Sequence, residues 1–126
     1  MLVFGGYGGA FPGAYQNDVW AFSTTENSWA ERTPSGPVPS PRARHAASWD
    51  DAGPRLLIFG GFAGGIDYLS DVWAFDVAAA AWTQLESRNG NPRAGHKAAW
   101  DSITRQLVVS GGQASGFYRE LAIYRE

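Results

Sequence analysis

The residues best suited to chemistry are two histidines. His45 and His96 each stand three places after an arginine, in Pro41-Arg42-Ala43-Arg44-His45 and Pro92-Arg93-Ala94-Gly95-His96. An imidazole can move a proton near neutral pH or ligate a metal. Hydrolysis by general acid–base catalysis ordinarily wants a second titratable group close by. The carboxylates do not offer one: Asp18 and Asp71 open two copies of the same short string, and Asp67 has neither a histidine nor a second carboxylate beside it. The chain has no Cys, which excludes disulfides, thiolate metal sites and cysteine nucleophiles. The glycine-rich residues 5–13 lack the Gly-x-Gly-x-x-Gly spacing of a phosphate cradle, and no helical pattern follows them. The expectation is therefore a chain without catalytic residues, metal or cofactor.

Composition narrows the partners. Of the 126 residues, 44% are hydrophobic and 17% charged, the balance of a folded domain with a sizeable core. The net charge of −2, with no basic run, argues against nucleic acid or a membrane surface as the partner. No apolar run approaches the ~18 residues of a membrane helix. No leader pattern is visible, although Met1 is not read as the natural start.

What positions the histidines is a repeat. Gly5-Gly6, Gly60-Gly61 and Gly111-Gly112 each follow an apolar run, and their spacings of 55 and 51 residues give the period. Asp-Val-Trp-Ala-Phe occurs unchanged at 18–22 and 71–75, with a weaker copy at 120–124, and Trp29 and Trp82 lie nine places after Trp20 and Trp73. Helical periodicity is absent. Each repeat offers four short strands: one at 43–49 and again at 94–100, one before each diglycine, one beginning at the Asp-Val-Trp string, and one around the lone Trp. The second is apolar at every position, which predicts burial on both faces. Four antiparallel strands recurring every ~50 residues describe the blade of a β-propeller.

Diglycine after an apolar strand, Asp-Val-Trp, a spaced Trp and Pro-Arg-x-x-His resemble the kelch repeat, over nearly the whole chain. The resemblance implies an all-β, galactose-oxidase-central-domain-like fold, with the first strand of each blade innermost along a central channel and the blades packed face to face. Some kelch-like propellers hold a copper–radical site, but that needs Cys. Residues recurring once per blade are read as structural: Gly5, Gly6, Gly60, Gly61, Gly111, Gly112, Asp18, Trp20, Asp71, Trp73, Trp29, Trp82, Arg42, Arg93, His45 and His96, with Tyr15, Tyr68 and Phe117 as further packing positions. In the third repeat Ser110 and Ala122 replace Phe and Trp.

The chain reads as one partial propeller domain, with blade one at about 1–32, blade two at about 43–85 and blade three at about 94–126. The first blade lacks its inner strand and the third its outer one. Propellers close with roughly four to eight blades, so the remaining blades are expected in a longer chain. The function expected is binding or scaffolding. Loops joining second to third strands, and fourth to first, share one face and are long and variable (7–17, 62–70, 113–119, 33–41 and 86–92). The opposite loops are short and regular. Variable loops on a constant scaffold tend to carry binding residues. Removing the packing positions leaves Tyr7, Phe11, Phe62, Asp67, Arg88, Asn89, Gln113, Tyr118 and Arg119, a set suited to a protein or a carbohydrate. The alternative is the non-catalytic part of a propeller enzyme whose active site lies elsewhere.

Overall fold

The computed structural model describes residues 1–9, 13–87 and 91–126, so Phe11, Arg88 and Asn89 lie outside the described residues. The described chain is all β, with ten strands and no helix. β1 (Leu2–Gly8), β2 (Ala14–Ser23) and β3 (Ser28–Glu31) form the first sheet in that order. The second contains β4 (Ala46–Asp50), β5 (Arg55–Phe62), β6 (Tyr68–Asp76) and β7 (Ala81–Glu86). The third contains β8 (Lys97–Asp101), β9 (Gln106–Ser110) and β10 (Leu121–Arg125). Every pairing within a sheet is antiparallel and joins strands consecutive in sequence. This is the architecture of a partial propeller: one four-stranded blade between two three-stranded ones.

Alternation along the middle blade builds two cores. Leu56, Ile58, Trp73, Phe75 and Trp82 pack against Phe4 and Val19 of the first sheet. Phe59 and Val72, pointing to the other face, pack against Leu107, Val109 and Tyr124 of the third. Side chains two apart share a face, so a central strand that is apolar throughout serves both interfaces. Burial on both faces holds along β5, where residues 56–61 are all buried. It fails where a neighbouring sheet is lacking: Val3 of β1 and Ser110 of β9 are exposed. The innermost strands β4 and β8 meet directly, the Trp100 amide donating to Ser48 Oγ at 2.8 Å.

Three local features differ from the sequence expectation. The first strand of each blade begins later, at Ala46 and Lys97; Ala43 and Ala94 make only single bridges to Phe62 and Gln113. The interruption falls where Arg44 and Gly95 take positive φ, +58° and +69°, which breaks an extended strand. The first two diglycines, in contrast, lie within β1 and β5, whereas β9 ends at Ser110, just before Gly111-Gly112. The register shifts between Phe4 and Gly6 and between Phe59 and Gly61, a β-bulge formed with glycines at positive φ. Pairing resumes beyond it, so Tyr7 and Phe62, expected in loops, lie on β1 and β5 opposite Tyr15 and Tyr68. Phe117, expected to pack, is 84% exposed.

Candidate functional site

The recurring arginine sits at the junction between blades. Arg42 is fully buried. Its backbone reaches the preceding blade: its amide donates to Gln16 O at 2.9 Å and its carbonyl accepts from the Gly6 amide at 2.8 Å. Its side chain reaches its own blade, donating to Gly60 O at 3.0 Å and to both carboxylate oxygens of Asp71, at 2.6 and 2.8 Å. Trp73 Nε1 donates to the same carboxylate at 2.7 Å. Arg93 repeats the backbone half with Leu69 O and Gly61 N, and donates to Gly111 O at 3.1 Å. In place of the aspartate it has Glu120 at 3.9 Å, and Tyr118 lies over its guanidinium at 4.1 Å. Tyr118, a candidate for partner contact, is thereby engaged inside the third blade.

The histidines belong to the same junctions. His45 meets the ring of Phe4 edge-on at 5.3 Å, and His96 meets Phe59 in the same way at 5.0 Å. His96 Nε2 lies 3.1 Å from Phe59 O. Burial pushes the pKa of both histidines down to about 4, and the nearby charges of Arg42 (at His45) and Arg93 (at His96) act in the same direction. At neutral pH both are uncharged packing groups rather than general acids. Among the described residues, no three His, Asp or Glu side chains gather as a metal site would require.

The long-loop face holds a different arrangement. Tyr15 is wedged between Tyr7, at 5.0 Å, and Phe62, at 5.9 Å, and Phe62 meets Tyr68 at 5.0 Å. Tyr7, Tyr15 and Phe62, from the hairpins of the first two blades, line a concavity of about 450 Å³ together with Arg44. Arg44 also borders a smaller hollow of about 170 Å³ with Gly112, Gln113 and Phe117. It is exposed, and no carboxylate among the described residues pairs with its guanidinium.

The backbone of Arg44 is the anomaly. The other non-glycine residues at positive φ, Asn27, Ala80 and Arg105, sit just before a strand in tight turns. Arg44 does not, and the matching residue of the next repeat is Gly95. A left-handed conformation costs a non-glycine residue ~1–2 kcal/mol. Sequence reading passed over Arg44; the signal available was the Arg-for-Gly exchange inside Pro-Arg-Ala-x-His.

Of the other candidates, Tyr7 is 55% exposed, Asp67 and Arg119 are exposed, and Phe62 and Gln113 are half-buried. Tyr7 and Phe62 share the concavity, Gln113 lines the smaller hollow, and neither hollow is lined by Asp67 or Arg119. A larger concavity, about 590 Å³, opens on the short-loop face beside Asp50, Arg55, Asp76 and Arg105. Its arginines are already engaged: Arg55 pairs with Asp50 at 3.0 Å, and Arg55 and Arg105 share Glu126.

Comparison with known proteins places the chain. The model of the KLHDC2/KLHL20/DRC7 kelch-repeats domain matches residues 1–125. Dynein regulatory complex subunit 7 of Chlamydomonas reinhardtii is 28% identical over 116 residues, 92% of this chain and 10% of that protein. The flagellar outer-arm dynein alpha chain of the same organism is 36% identical over 129 residues, 96% of this chain and 3% of its own length. The Rab9 effector protein with kelch motifs of Bos taurus is 30% identical over 118 residues, 91% of this chain and 32% of that protein. The chain thus spans a third or less of each of these relatives. By the match over residues 1–125 and the repeat it shares with them, this chain belongs to the kelch-repeat family.

Proposed function

We propose that this chain is a protein-interaction module whose long-loop face receives a carboxylate-bearing segment of a partner. The observation that carries the reading is Arg44: a cation with no acidic partner among the described residues, at a backbone position that favours glycine, bordering two hollows, one of which Tyr7, Tyr15 and Phe62 also line. Strain retained at an exposed charged residue is a pointer to function rather than to stability. An arginine fork holds a carboxylate through two parallel hydrogen bonds. Tyr7, Tyr15 and Phe62 supply the flat apolar surface on which neighbouring partner residues would rest, and aromatics with arginine are the usual composition of binding hot spots. The names of two relatives, a Rab9 effector and a subunit of a dynein regulatory complex, describe proteins that engage other proteins, which supports the same reading.

The test is a peptide array in which each Asp or Glu is paired with its Asn or Gln counterpart, and each free C-terminus with its amide. Binding should require a carboxylate in the peptide, fall at least tenfold for Arg44→Ala, and fall for Phe62→Ala, while Thr25→Ala and Ser102→Ala leave it intact. Loss on amidation alone assigns the carboxylate to a chain terminus; loss on Asp or Glu replacement assigns it to a side chain. Selective binding that survives Arg44→Ala refutes the reading, as does a glycan array giving binding sensitive to Tyr7→Ala and indifferent to Arg44→Ala.

A further inference from the structure

The two hollows of the long-loop face are the same place one repeat apart. Ala43 and Phe62, bridged to each other, line the first; Ala94 and Gln113, bridged in the same way, line the second. Phe62 and Gln113 are matching residues, each one place after its diglycine. The first hollow takes further walls from Tyr7 and Tyr15 of the preceding blade and from Gly64. A Cβ on Gly64 would lie 3.1 Å from Tyr15 Cε2, so a side chain there would crowd the ring that walls the hollow.

Arg44 borders both. Its counterpart in the next repeat is Gly95, where a Cβ would lie 3.4 Å from Arg44 Nη2 and 3.9 Å from Nε. The guanidinium rests against the following blade's backbone, in space that a larger residue would take. One cation thus serves two equivalent hollows, and the exchange of phenylalanine for glutamine gives them different chemistry. The first, about 450 Å³, is walled by aromatic rings. The second, about 170 Å³, presents the side-chain amide of Gln113, which makes no hydrogen bond among the described residues and offers both donors and an acceptor.

We propose that the two hollows read the residues on either side of the partner's carboxylate, which is therefore an internal Asp or Glu rather than a chain terminus; the inference rests on Arg44 as the carboxylate's anchor. Because Arg44 borders a hollow at each of two successive junctions, a segment that places its acid there runs on past it in both directions. On one side a bulky apolar side chain enters the hollow walled by Tyr7, Tyr15 and Phe62, where burial against rings favours it. On the other a small uncharged polar residue, Ser, Thr or Asn, enters the smaller hollow and bonds to Gln113. An apolar residue there would cover the Gln113 amide without pairing it, and that loss gives the second hollow its selectivity.

The experiment is a positional-scanning library of synthetic peptides, N-acetylated and C-amidated, with one central Glu and the flanking positions varied; a matched set carries a free C-terminus and no acidic side chain. The parent chain should select aromatic or branched apolar residues at least tenfold over Ala on one side of Glu, and Ser, Thr or Asn at least tenfold over Leu on the other. Gln113→Phe should turn the second preference towards apolar residues while the first, and the need for Glu, persist. Phe62→Gln should weaken the first preference and spare the second. If Phe62→Gln fails to fold, Gln113→Phe decides; if that fails too, Gln113→Ala should erase the second preference alone. Arg44-dependent binding with no flanking preference, or with a second preference indifferent to every change at Gln113, overturns the inference and leaves the carboxylate reading standing. Arg44-dependent binding confined to the free C-terminal set does the same. If neither set binds in an Arg44-dependent way, the carboxylate reading fails and the inference falls with it.

Discussion

Replacing Arg44 with glycine separates stability from function more sharply than any other change in this chain. At φ +58° arginine bears the left-handed penalty, roughly 1–2 kcal/mol. Glycine removes that penalty but brings greater backbone freedom to the unfolded state, worth ~0.5–1 kcal/mol against folding. The difference leaves Arg44→Gly more stable by about 0.5–1 kcal/mol, or roughly 2–4 °C in melting temperature for a chain of this size. Gly95, at φ +69° in the next repeat, already shows that glycine fits the position. The assay is thermal unfolding of parent, Arg44→Gly and Arg44→Ala side by side, with binding to the carboxylate peptides measured on the same samples. Arg44→Ala keeps the strained φ and loses the guanidinium, so it should lose binding without the gain in stability. A glycine variant that melts below the parent would refute the reasoning, for it would mean that the packing of Arg44 beside Gly95 outweighs the backbone strain. A stabilised glycine variant that still binds would leave the strain argument standing and remove the guanidinium from the site.

Other expectations follow from the junctions. Asp71→Ala strands the fully buried Arg42 and should cost about 3–5 kcal/mol in denaturant unfolding; Asp18→Ala, which among the described residues loses the bond from Trp20, should cost about 1 kcal/mol. Gly61→Val places a Cβ 2.9 Å from Ala43 O at φ +108° and should destabilise by more than about 2 kcal/mol; an unchanged melting temperature would show that the bulge has room to relax. The His96 pKa, lowered to about 4 in the folded state against about 6.5 unfolded, means that the unfolded state takes up protons first as pH falls. Stability is complete above pH ~6.5 and should decline between there and pH ~4, by up to about 3 kcal/mol from His96. His96→Gln should reduce the slope in that window to the part His45 contributes, since its pKa is lowered likewise, and the double variant with His45→Gln should flatten it; a slope unchanged by His96→Gln would assign it to other groups.

Much of the fold was legible because a repeat prints the same local physics several times. The diglycines, the Asp-Val-Trp strings and the spaced tryptophans fix strand order within a blade, since each must occupy the same environment in every copy. Repetition also marked Arg42, Arg93, His45 and His96 as structural, but that they sit at the junctions between blades came only from the tertiary structure. It was silent on geometry that pattern does not encode. That strands continue through the diglycine depends on a bulge, and this moved Tyr7 and Phe62 out of their loops. Phe117 and Tyr118 are adjacent aromatics in sequence, yet only Tyr118 turns back over Arg93.

The candidate site divides along the same line. Sequence by itself determined the architecture, the absence of cysteine chemistry and the face on which variable segments gather, because these follow from residue type, spacing and the reversal of successive strands. Tertiary structure alone decided that Arg44 stands at positive φ bordering two hollows, and that among the described residues its guanidinium meets no acid and Asp18 has no arginine such as its twin Asp71 holds. Those facts depend on which groups from distant repeats converge at one point, and a one-dimensional pattern specifies neither a backbone dihedral angle nor the lack of a neighbour.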